Sequence, residues 1–343
     1  MESSTDEEHT FFNEVDKASM GPLWKVLRNL LTEHPMPLEI PYQWRWEQVR
    51  DLVYESAKIV SADEAERRVL MLLNPKLKNQ NACTQTLYAG IQIIMPGEIA
   101  RTHRHTPNAL RFIMEGEGAY TTVNGEKIRM KVGDLVLTPT WSWHDHGNEG
   151  TNPVVWLDGL DIPLATSLSG IFFEEYPDQY QPSAFPDGYS SKTYGKSLFP
   201  SGDIPKRHYS PIMKYPYAEA RAALDDVQDS ESSLHDGYTV EYKNPMNGGS
   251  VLPTMDSRLH LIKRGKTLKP LRRSSSAVFL GVEGSGALEI EGRKFHWKKN
   301  DIIVIPSWAK HRHINDGQSD AVLFSFSNAP VLRPFGLFRE ELL

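Results

Sequence analysis

Three histidines in one half of this 343-residue sequence have the types and spacing of metal ligands. His103 and His105 are two residues apart, and His144 follows later, after Pro139. Residues i and i+2 of a strand point to the same face, so two imidazoles would aim at one spot, and a turn at the proline could return the third. Imidazole suits iron, zinc, copper and nickel, and three protein ligands would leave coordination positions open, as in catalytic metal sites.

His146 allows two interpretations. It shares a face with His144 if the strand is regular, so it could be a fourth ligand. We favour a position beside the metal, as a base or a substrate contact.

The motif that carries these histidines occurs twice. The first copy has Gly97, Glu115, Pro139, Trp141 and Asn148, and the second has Gly265, Glu283, Pro306, Trp308 and Asn315 in the same order. A repeat of this length indicates a duplicated fold. In the second copy Leu271 and Arg273 replace His103 and His105, although His311 and His313 remain. We therefore expect one metal site, and a structural role for the second copy in supporting an oligomer interface.

Polar residues in apolar surroundings extend the candidate site. Arg111 has Phe279 as its counterpart, and an arginine found only beside the ligands fits pairing with a substrate carboxylate, the alternative being a surface strand residue. Gln92 stands in an apolar run and must find a hydrogen-bond partner. Asp158 could orient a histidine or be a turn residue. Tyr88 and Trp143 could line the pocket or belong to the core.

Local patterns predict a mainly β protein with helices at its start. Apolar spacing predicts helices over Leu23–Leu31 and Trp44–Ser56, and Ser61–Arg68 also has a helical pattern. From Thr86 short β-rich runs alternate with glycine and proline, which indicates a sandwich or small barrel. Asn124-Gly125, between two such runs, is a hairpin turn signal.

These local sequence patterns divide the chain into five predicted segments. The aromatic and proline-rich stretch after the first motif is interpreted as a packed linker that wraps another domain or subunit. The predicted segments are a helical one at 1–80, a metal-binding domain at 81–165, the linker at 166–235, a metal-free domain at 236–335 and a tail at 336–343.

Composition excludes several classes of partner. A net charge of −6 provides no basic surface for nucleic acid or anionic membrane. No apolar run approaches the ~20 residues of a membrane helix. The acidic N-terminus is unlike a signal peptide, and Cys83 is the sole cysteine, so the sequence predicts a cytoplasmic protein.

The two motifs of the first copy resemble those of the cupins. They read Gly97 x5 His103 x His105, and Gly133 x5 Pro139 x Trp141 x2 His144 x3 Asn148. Many cupins have a further glutamate ligand, but Ala109 or Leu110 occupies that position here. Together with Trp-Leu-Asp158-Gly-Leu-Asp161, the chain resembles the gentisate 1,2-dioxygenase family, which includes salicylate and 1-hydroxy-2-naphthoate dioxygenases.

The resemblance implies a fold, a cofactor and a reaction. The fold would be two cupin domains, each a double-stranded β-helix or jelly roll. The metal would be a mononuclear Fe(II) held by His103, His105 and His144, with O2 as co-substrate. The substrate would be a small aromatic hydroxy acid, gentisate first among them, opened between its carboxyl- and hydroxyl-bearing carbons in aromatic catabolism. The family also implies a homotetramer.

The resemblance also adds to residue roles. Gln92 would adjoin substrate or O2, and Arg67 matches an arginine that closes over the substrate, although Glu66-Arg67-Arg68 also fits a solvated helix face. Substituted salicylates and 1-hydroxy-2-naphthoate are alternative substrates. A cupin isomerase or decarboxylase with another metal, and a ligand-binding protein without catalysis, are the rival functions.

Overall fold

The computed structural model describes residues 3–61, 67–196, 200, 207–230 and 232–343. The chain divides into two units, Met1–Met36 and Pro37–Leu343. The smaller unit contains helices α1 (Ser3–Lys17) and α2 (Leu23–Leu30), and Leu23, Trp24 and Leu30 are more than half exposed in α2. None of the helices in these described ranges combines the length and apolarity needed to span a membrane.

The larger unit consists mainly of strands, as the sequence predicts. Its first half contains β1 (Tyr42–Trp44), α3 (Trp46–Ile59), β2 (Val69–Met71), β3 (Tyr88–Ile94), β4 (Ile99–His105), β5 (Ala109–Glu115), β6 (Ala119–Val123), β7 (Glu126–Arg129), β8 (Leu135–Thr138), β9 (His144–Asn148), β10 (Val154–Leu160), α4 (Ile162–Ser167), β11 (Phe173–Glu175) and α5 (Tyr189–Tyr194). Its second half contains β12 (Lys214–Tyr215), α6 (Tyr217–Asp226), β13 (Tyr238–Glu241), β14 (Asp256–Ile262), β15 (Leu271–Arg273), β16 (Ala277–Glu283), β17 (Ser285–Ile290), β18 (Arg293–Lys298), β19 (Ile302–Ile305), β20 (His311–Ile314), β21 (Ala321–Ser327), α7 (Ala329–Leu332) and β22 (Glu340–Leu342).

The helical prediction for the N-terminal part is correct only in places. Helices α2 and α3 confirm the two amphipathic patterns. However, Val69–Met71 is a strand that pairs with β3, so the predicted helical segment at 1–80 is not helical throughout. The predicted helix over Ser61–Arg68 falls largely on 62–66, outside the described residues.

Each half forms a larger and a smaller antiparallel sheet. The first half has the orders β12-β8-β5-β10-β3-β2 and β11-β4-β9-β6-β7, and the second has β1-β19-β16-β21-β14-β13 and β18-β17-β20-β15-β22. Apolar residues from both sheets pack inside each half, including Val123 and Trp156 in the first and Leu288 and Leu323 in the second. Asn124 and Gly125 both have positive φ (47° and 83°), as the hairpin turn between β6 and β7 requires.

The larger sheets are buried on both faces. Even-numbered residues of β5, among them Phe112, join a core shared with the second half, where Phe112 stacks on Phe324 with ring centroids 4.2 Å apart. Odd-numbered residues such as Ile113 face the interior of their own half. Because side chains alternate along a strand, Arg111 belongs to this interior set. Polar residues in these apolar runs therefore project into the domain rather than into solvent.

The two halves exchange their leading strands. Strand β1 pairs with β19 of the second half, and β12 pairs with β8 of the first. A helix follows each of these strands, and its first backbone N–H donates a hydrogen bond to an aspartate of the other half. Trp46 N donates to Asp301, and Tyr217 N donates to Asp134. The repeat is therefore longer than its motifs and begins near residues 42 and 214.

The stretch predicted to be a packed linker contributes to both sheets of the first half. Strand β11 pairs with β4, and β12 extends the larger sheet. The predicted domain boundaries themselves remain a prediction.

Candidate metal centre

Strands β4 and β9 bring the three predicted ligands together. They are neighbours in the smaller sheet, and His103 lies opposite His144 in the strand register. One ring nitrogen from each of His103, His105 and His144 lies within 4.8 Å of the other two. Across the described ranges, this is the group of three or more His, Cys, Asp or Glu side chains arranged to hold a metal ion.

Backbone carbonyls orient the three rings. His103 Nδ1 lies 3.2 Å from the Arg101 oxygen, and His105 Nδ1 lies 2.8 Å from that of Pro107. His144 Nδ1 lies 2.8 Å from the Ser142 oxygen. A carbonyl can only accept, so each Nδ1 carries the proton and each Nε2 keeps its lone pair.

The protonation states of these rings also suit a metal. Burial, reinforced by Arg67, lowers the pKa of His103 to about 2, and burial lowers the pKa of His105 to about 4. Burial lowers the pKa of His144 well below its usual value, and its Nε2 is buried without a hydrogen-bond partner. Neutral imidazoles with unpartnered Nε2 atoms are the donors that a divalent metal takes, so the residues fit the ion.

His146 lies beside this group but not within it. Its Nδ1 is 2.9 Å from the Thr121 hydroxyl, and its ring packs 5.6 Å from that of Trp156. The His146 Nε2 is buried without a partner. Its position supports a role next to the metal rather than that of a fourth ligand.

A cavity of about 350 Å³ opens onto the histidines. The candidate residues that line it with the three ligands are Arg67, Tyr88, Gln92, Arg111 and Asp158. The apolar part of the wall consists of Val69, Pro107, Leu160, Ile162, Ile171, Phe172 and Phe173. Five residues chosen from sequence thus converge on one cavity, which has a polar end near the ligands and an apolar remainder.

Arg111 and Asp158 form a buried ion pair inside this cavity. They lie opposite each other on β5 and β10, with Nε to Oδ1 at 3.2 Å, and both are about 4% exposed. Thr138 accepts a hydrogen bond from Arg111 Nη1 at 2.7 Å, and Trp156 Nε1 donates to Asp158 at 3.1 Å. Burial raises the pKa of Asp158 to about 6, although the Arg111 guanidinium opposes the shift. Asp158 is therefore a strand residue that holds Arg111, not a turn residue, and it does not hold a histidine.

Tyr88 and Gln92 project from the same face of β3. Gly90 lies between them, and a Cβ there would come within 2.6 Å of Val69 Cγ1 and 2.8 Å of the Tyr88 hydroxyl. The glycine thus leaves room for the phenol to lean over the strand. Burial raises the pKa of Tyr88, so its hydroxyl is neutral at pH 7 and can donate a hydrogen bond.

Arg67 and Phe173 form the outer wall. The Phe173 ring stacks on that of His103 with centroids 5.5 Å apart, and the Arg67 guanidinium carbon lies 5.5 Å from the Phe173 ring centre. Trp143 lies elsewhere, packed against Arg104 and Tyr176, so it is not a cavity residue.

Three contributors were not identified from sequence. Thr138 and Thr121 act through Arg111 and His146, and only the pairing of neighbouring strands reveals this. Thr121 lies opposite His146, and Thr138 is two residues along β8 from the register partner of Arg111. Phe173 belongs to the stretch interpreted as a linker, and its pairing with His105 depends on a strand contact 68 positions along the chain. The signal available in sequence was the cluster of aromatic residues in that stretch.

The second half has no counterpart of the triad among its described residues. Leu271 is buried, and Arg273 donates to Asp236 through Nη1 and Nη2, at 2.9 and 2.6 Å. The prediction of one metal-competent half agrees with this arrangement.

Comparison with known proteins first defines the class. The cupin domain family model matches residues 90–160 and again 258–327. The protein thus contains two cupin domains, which confirms the predicted fold.

Full-length relatives define the family. The chain is 39% identical to gentisate 1,2-dioxygenase 1 of Aquipseudomonas alcaligenes over 338 residues, covering 98% of this chain and 97% of the relative. It is 37% identical to 5-aminosalicylate 1,2-dioxygenase of a Comamonas species, covering 96% and 88%. The crystal structure of salicylate 1,2-dioxygenase from Pseudoaminobacter salicylatoxidans, in adducts with gentisate, superposes with a TM-score of 0.92 at 33% identity, covering 98% and 94%. The chain belongs to the gentisate 1,2-dioxygenase family of ring-cleaving dioxygenases, as its motifs predict, and the three-histidine group supports a metal cofactor.

Proposed function

We propose that this protein is an Fe(II)-dependent dioxygenase that opens gentisate between its carboxyl- and hydroxyl-bearing carbons to give maleylpyruvate. The observation that carries the proposal is the convergence of three neutral imidazoles and a buried Arg–Asp pair on one cavity of about 350 Å³. Family membership favours iron over the other metals that imidazole binds.

His103, His105 and His144 would hold the iron through their Nε2 atoms. Iron bound there would supply a Lewis-acid centre where a substrate with adjacent carboxylate and hydroxyl groups and O2 come together. Three neutral ligands leave the charge of the ion uncompensated, which favours an anionic bidentate substrate. The backbone carbonyls that fix each Nδ1 keep the rings in place without adding negative charge.

Arg111 would orient the substrate carboxylate. Its guanidinium is fixed by Asp158 and Thr138, so little rotational freedom is lost when the substrate is bound. Asp158 nearly balances its charge, so the contribution of Arg111 is directional and specific rather than a large net attraction.

The remaining candidates would act around the ring. Gln92 and the neutral Tyr88 hydroxyl can form hydrogen bonds with substituents of the substrate or with O2 from the β3 wall. Arg67 would close the outer side beside Phe173. His146, with an unpartnered Nε2, would assist beside the ligands as a neutral ring, because burial lowers its pKa well below the usual value.

A second substrate has support of its own. The relative that is 37% identical is a 5-aminosalicylate 1,2-dioxygenase, which is named for an amino group in place of the 5-hydroxyl of gentisate. Both molecules share the carboxylate and adjacent hydroxyl. Differences of one small group in a pocket are worth only ~1–3 kcal/mol, so 5-aminosalicylate is our second candidate, before salicylate and 1-hydroxy-2-naphthoate.

We also propose a cytoplasmic homo-oligomer, with a tetramer as the expected state. The sole cysteine, Cys83, is buried and free, which suits a reducing compartment. The exposed apolar side chains of α2 support association between subunits.

Anaerobic loading with Fe(II), followed by O2 uptake on a substrate panel, tests the proposal. We expect one O2 consumed per gentisate, a ring-opened product with the mass of gentisate plus O2, and a lower kcat/KM for 5-aminosalicylate. Zinc-loaded protein is the matched control and should be inactive. Absence of O2 uptake with every hydroxybenzoate and hydroxynaphthoate in the panel, despite full iron content, would reject it.

A further inference from the structure

The second cupin domain keeps a pocket at the position that corresponds to the metal-bearing cavity. Its volume is about 160 Å³, less than half that of the first. The strands that line it are the counterparts of those around the metal centre, because β14, β16 and β21 repeat β3, β5 and β10. The polar residues that line it include Asp256, Arg258, Arg273, Ser275, Arg333 and Glu340.

Arg273 is one of the residues that line this pocket. It stands where the first domain has His105, so a fixed positive charge has replaced a metal ligand. Asp236 accepts hydrogen bonds from both terminal nitrogens of the guanidinium. The third donor, Nε, points to the Glu340 carboxylate at 2.5 Å. A carboxylate is thus already bound in this pocket, and it comes from the chain itself.

The strand that carries Glu340 is short and lies at the edge of its sheet. Glu340 belongs to β22, a three-residue edge strand that pairs with β15 through Leu271, Arg272 and Arg273. All three residues of β22 are exposed, and the Glu340 side chain is 34% exposed. A partly exposed ion pair contributes about 0–1 kcal/mol, so an external carboxylate can compete with this one.

The other groups at the mouth match a small acid. Arg333 lies on the rim with its guanidinium 4.1 Å from the centre of the Phe338 ring. Ser275 supplies a hydroxyl, whereas the hydroxyls of Ser325 and Ser327 are already hydrogen-bonded to His260 and Asp256. Asp256 also lines the pocket, but it is paired with Arg258 at 3.2 Å, so Arg273 and Arg333 are the cations that face an anion in place of Glu340. The volume is small beside that of the aromatic substrate cavity.

We propose that this pocket binds a monocarboxylate of two to four carbons, which displaces Glu340 from Arg273 Nε and is reached by Arg333. The carboxylate replaces a like group, so the partly buried Arg273–Asp236 pair stays intact. No metal and no part of the proposed ring cleavage is needed for this binding.

Fluorine NMR titration of the iron-loaded protein with trifluoroacetate tests the proposal. The probe is a small monocarboxylate, and its line width reports binding directly. Glu340→Gln keeps the side-chain shape and the backbone pairing of β22 but removes the competing charge. We expect its dissociation constant for trifluoroacetate to be up to about fivefold lower than that of the wild type, as removal of a competitor worth up to about 1 kcal/mol implies. Any binding at the metal contributes equally to both proteins and cancels in the comparison.

Two further variants separate the pocket from general charge effects. Glu341→Gln removes a neighbouring carboxylate of β22 that pairs with Arg272, and it should bind the probe like the wild type. Arg333→Gln, added to Glu340→Gln, should weaken binding several-fold. Equal affinity in Glu340→Gln and wild type, equal gains in both glutamate variants, or no effect of Arg333→Gln would each overturn the proposal.

Discussion

The two cupin domains share a backbone plan and differ at one end of their interiors. In the first, His103 and His105 face His144, and Arg111 pairs with Asp158. In the second, Leu271 and Arg273 replace the histidine pair, and Phe279 and Ser325 lie opposite each other where Arg111 and Asp158 do in the first. The retained His311 is still oriented by a carbonyl, that of Ala309, as His144 is by Ser142. Sequence change at a few inward positions is therefore enough to lose a metal centre without losing the fold.

The largest effect should come from removing a ligand in the first domain. His103→Ala is expected to lose bound iron and essentially all ring cleavage while remaining folded, because the ring supplies a metal donor and not a core contact. Metal analysis and O2 uptake measure both effects. His311→Ala, at the position matching His144, is the control and should keep wild-type iron and activity. Iron content at the wild-type level in His103→Ala would refute the ligand assignment.

The Arg111–Asp158 pair offers a sharper test. Arg111→Gln leaves a buried carboxylate unpaired, so we expect the free energy of unfolding to decrease by about 3–5 kcal/mol. We also expect kcat/KM to fall roughly 10- to 100-fold, because a charged hydrogen bond to the substrate is lost. Denaturant unfolding and steady-state kinetics report these changes.

The second domain supplies the matched control for this pair. Arg111→Phe combined with Asp158→Ser copies Phe279 and Ser325, and it should recover most of the stability but none of the activity. Recovery of activity in the double variant would show that the pair is structural only.

The same pair predicts the acid limb of the pH profile. Asp158 has a pKa raised by burial to about 6, so it gains a proton as pH falls through that value and then no longer holds Arg111 by charge. We expect kcat/KM to be constant above pH 7, to fall by up to about tenfold per pH unit just below 6, and then to level off near the value of Asp158→Asn, which also carries a neutral group. Asp158→Asn should be slower overall and should lack this limb. An unchanged limb in that variant would assign the ionisation to another group.

The smallest expected effect concerns the features that the two domains share. Glu115 accepts a hydrogen bond from Tyr54 on α3 at 2.8 Å, and its repeat partner Glu283 accepts one from Tyr217 on α6 at 2.5 Å. Tyr54→Phe and Tyr217→Phe should each destabilise the protein by about 1 kcal/mol, with activity unchanged. Thermal unfolding measures the loss. A loss of stability in only one of the two variants would show that α3 and α6 do not stabilise their domains equally.

Much of the candidate site could be predicted because its signals are local. The spacing of His103 and His105 implies a shared face in any strand, and the repeat marks Arg111 as specific to one copy. Gln92 and Asp158 are polar residues within apolar runs, which the burial of both faces of β3 and β10 explains. The roles assigned to these residues were less accurate. Asp158 was interpreted either as orienting a histidine or as a turn residue, but it contacts Arg111, and that contact depends on which strands are neighbours.

The missed features all depend on contacts distant in sequence. Strands β1 and β12 each pair with a strand of the other half, and the residue pattern of neither strand predicts which strand that is. Val69–Met71 was predicted to belong to a helical segment, but pairing with β3 overrides its weak local preference.

The sequence by itself determined that a β fold is duplicated, and it predicted a histidine triad in one half only, because these follow from residue type, strand periodicity and comparison of two internal copies. The cupin assignment followed from the resemblance of the motifs to that family. Only the tertiary structure decided that Asp158 holds Arg111, that Phe173 covers His103, and that Glu340 fills the second pocket through Arg273. Each of those contacts joins strands that pair across long loops or between halves, and the free energy of such pairing comes from burial shared by residues far apart in the chain.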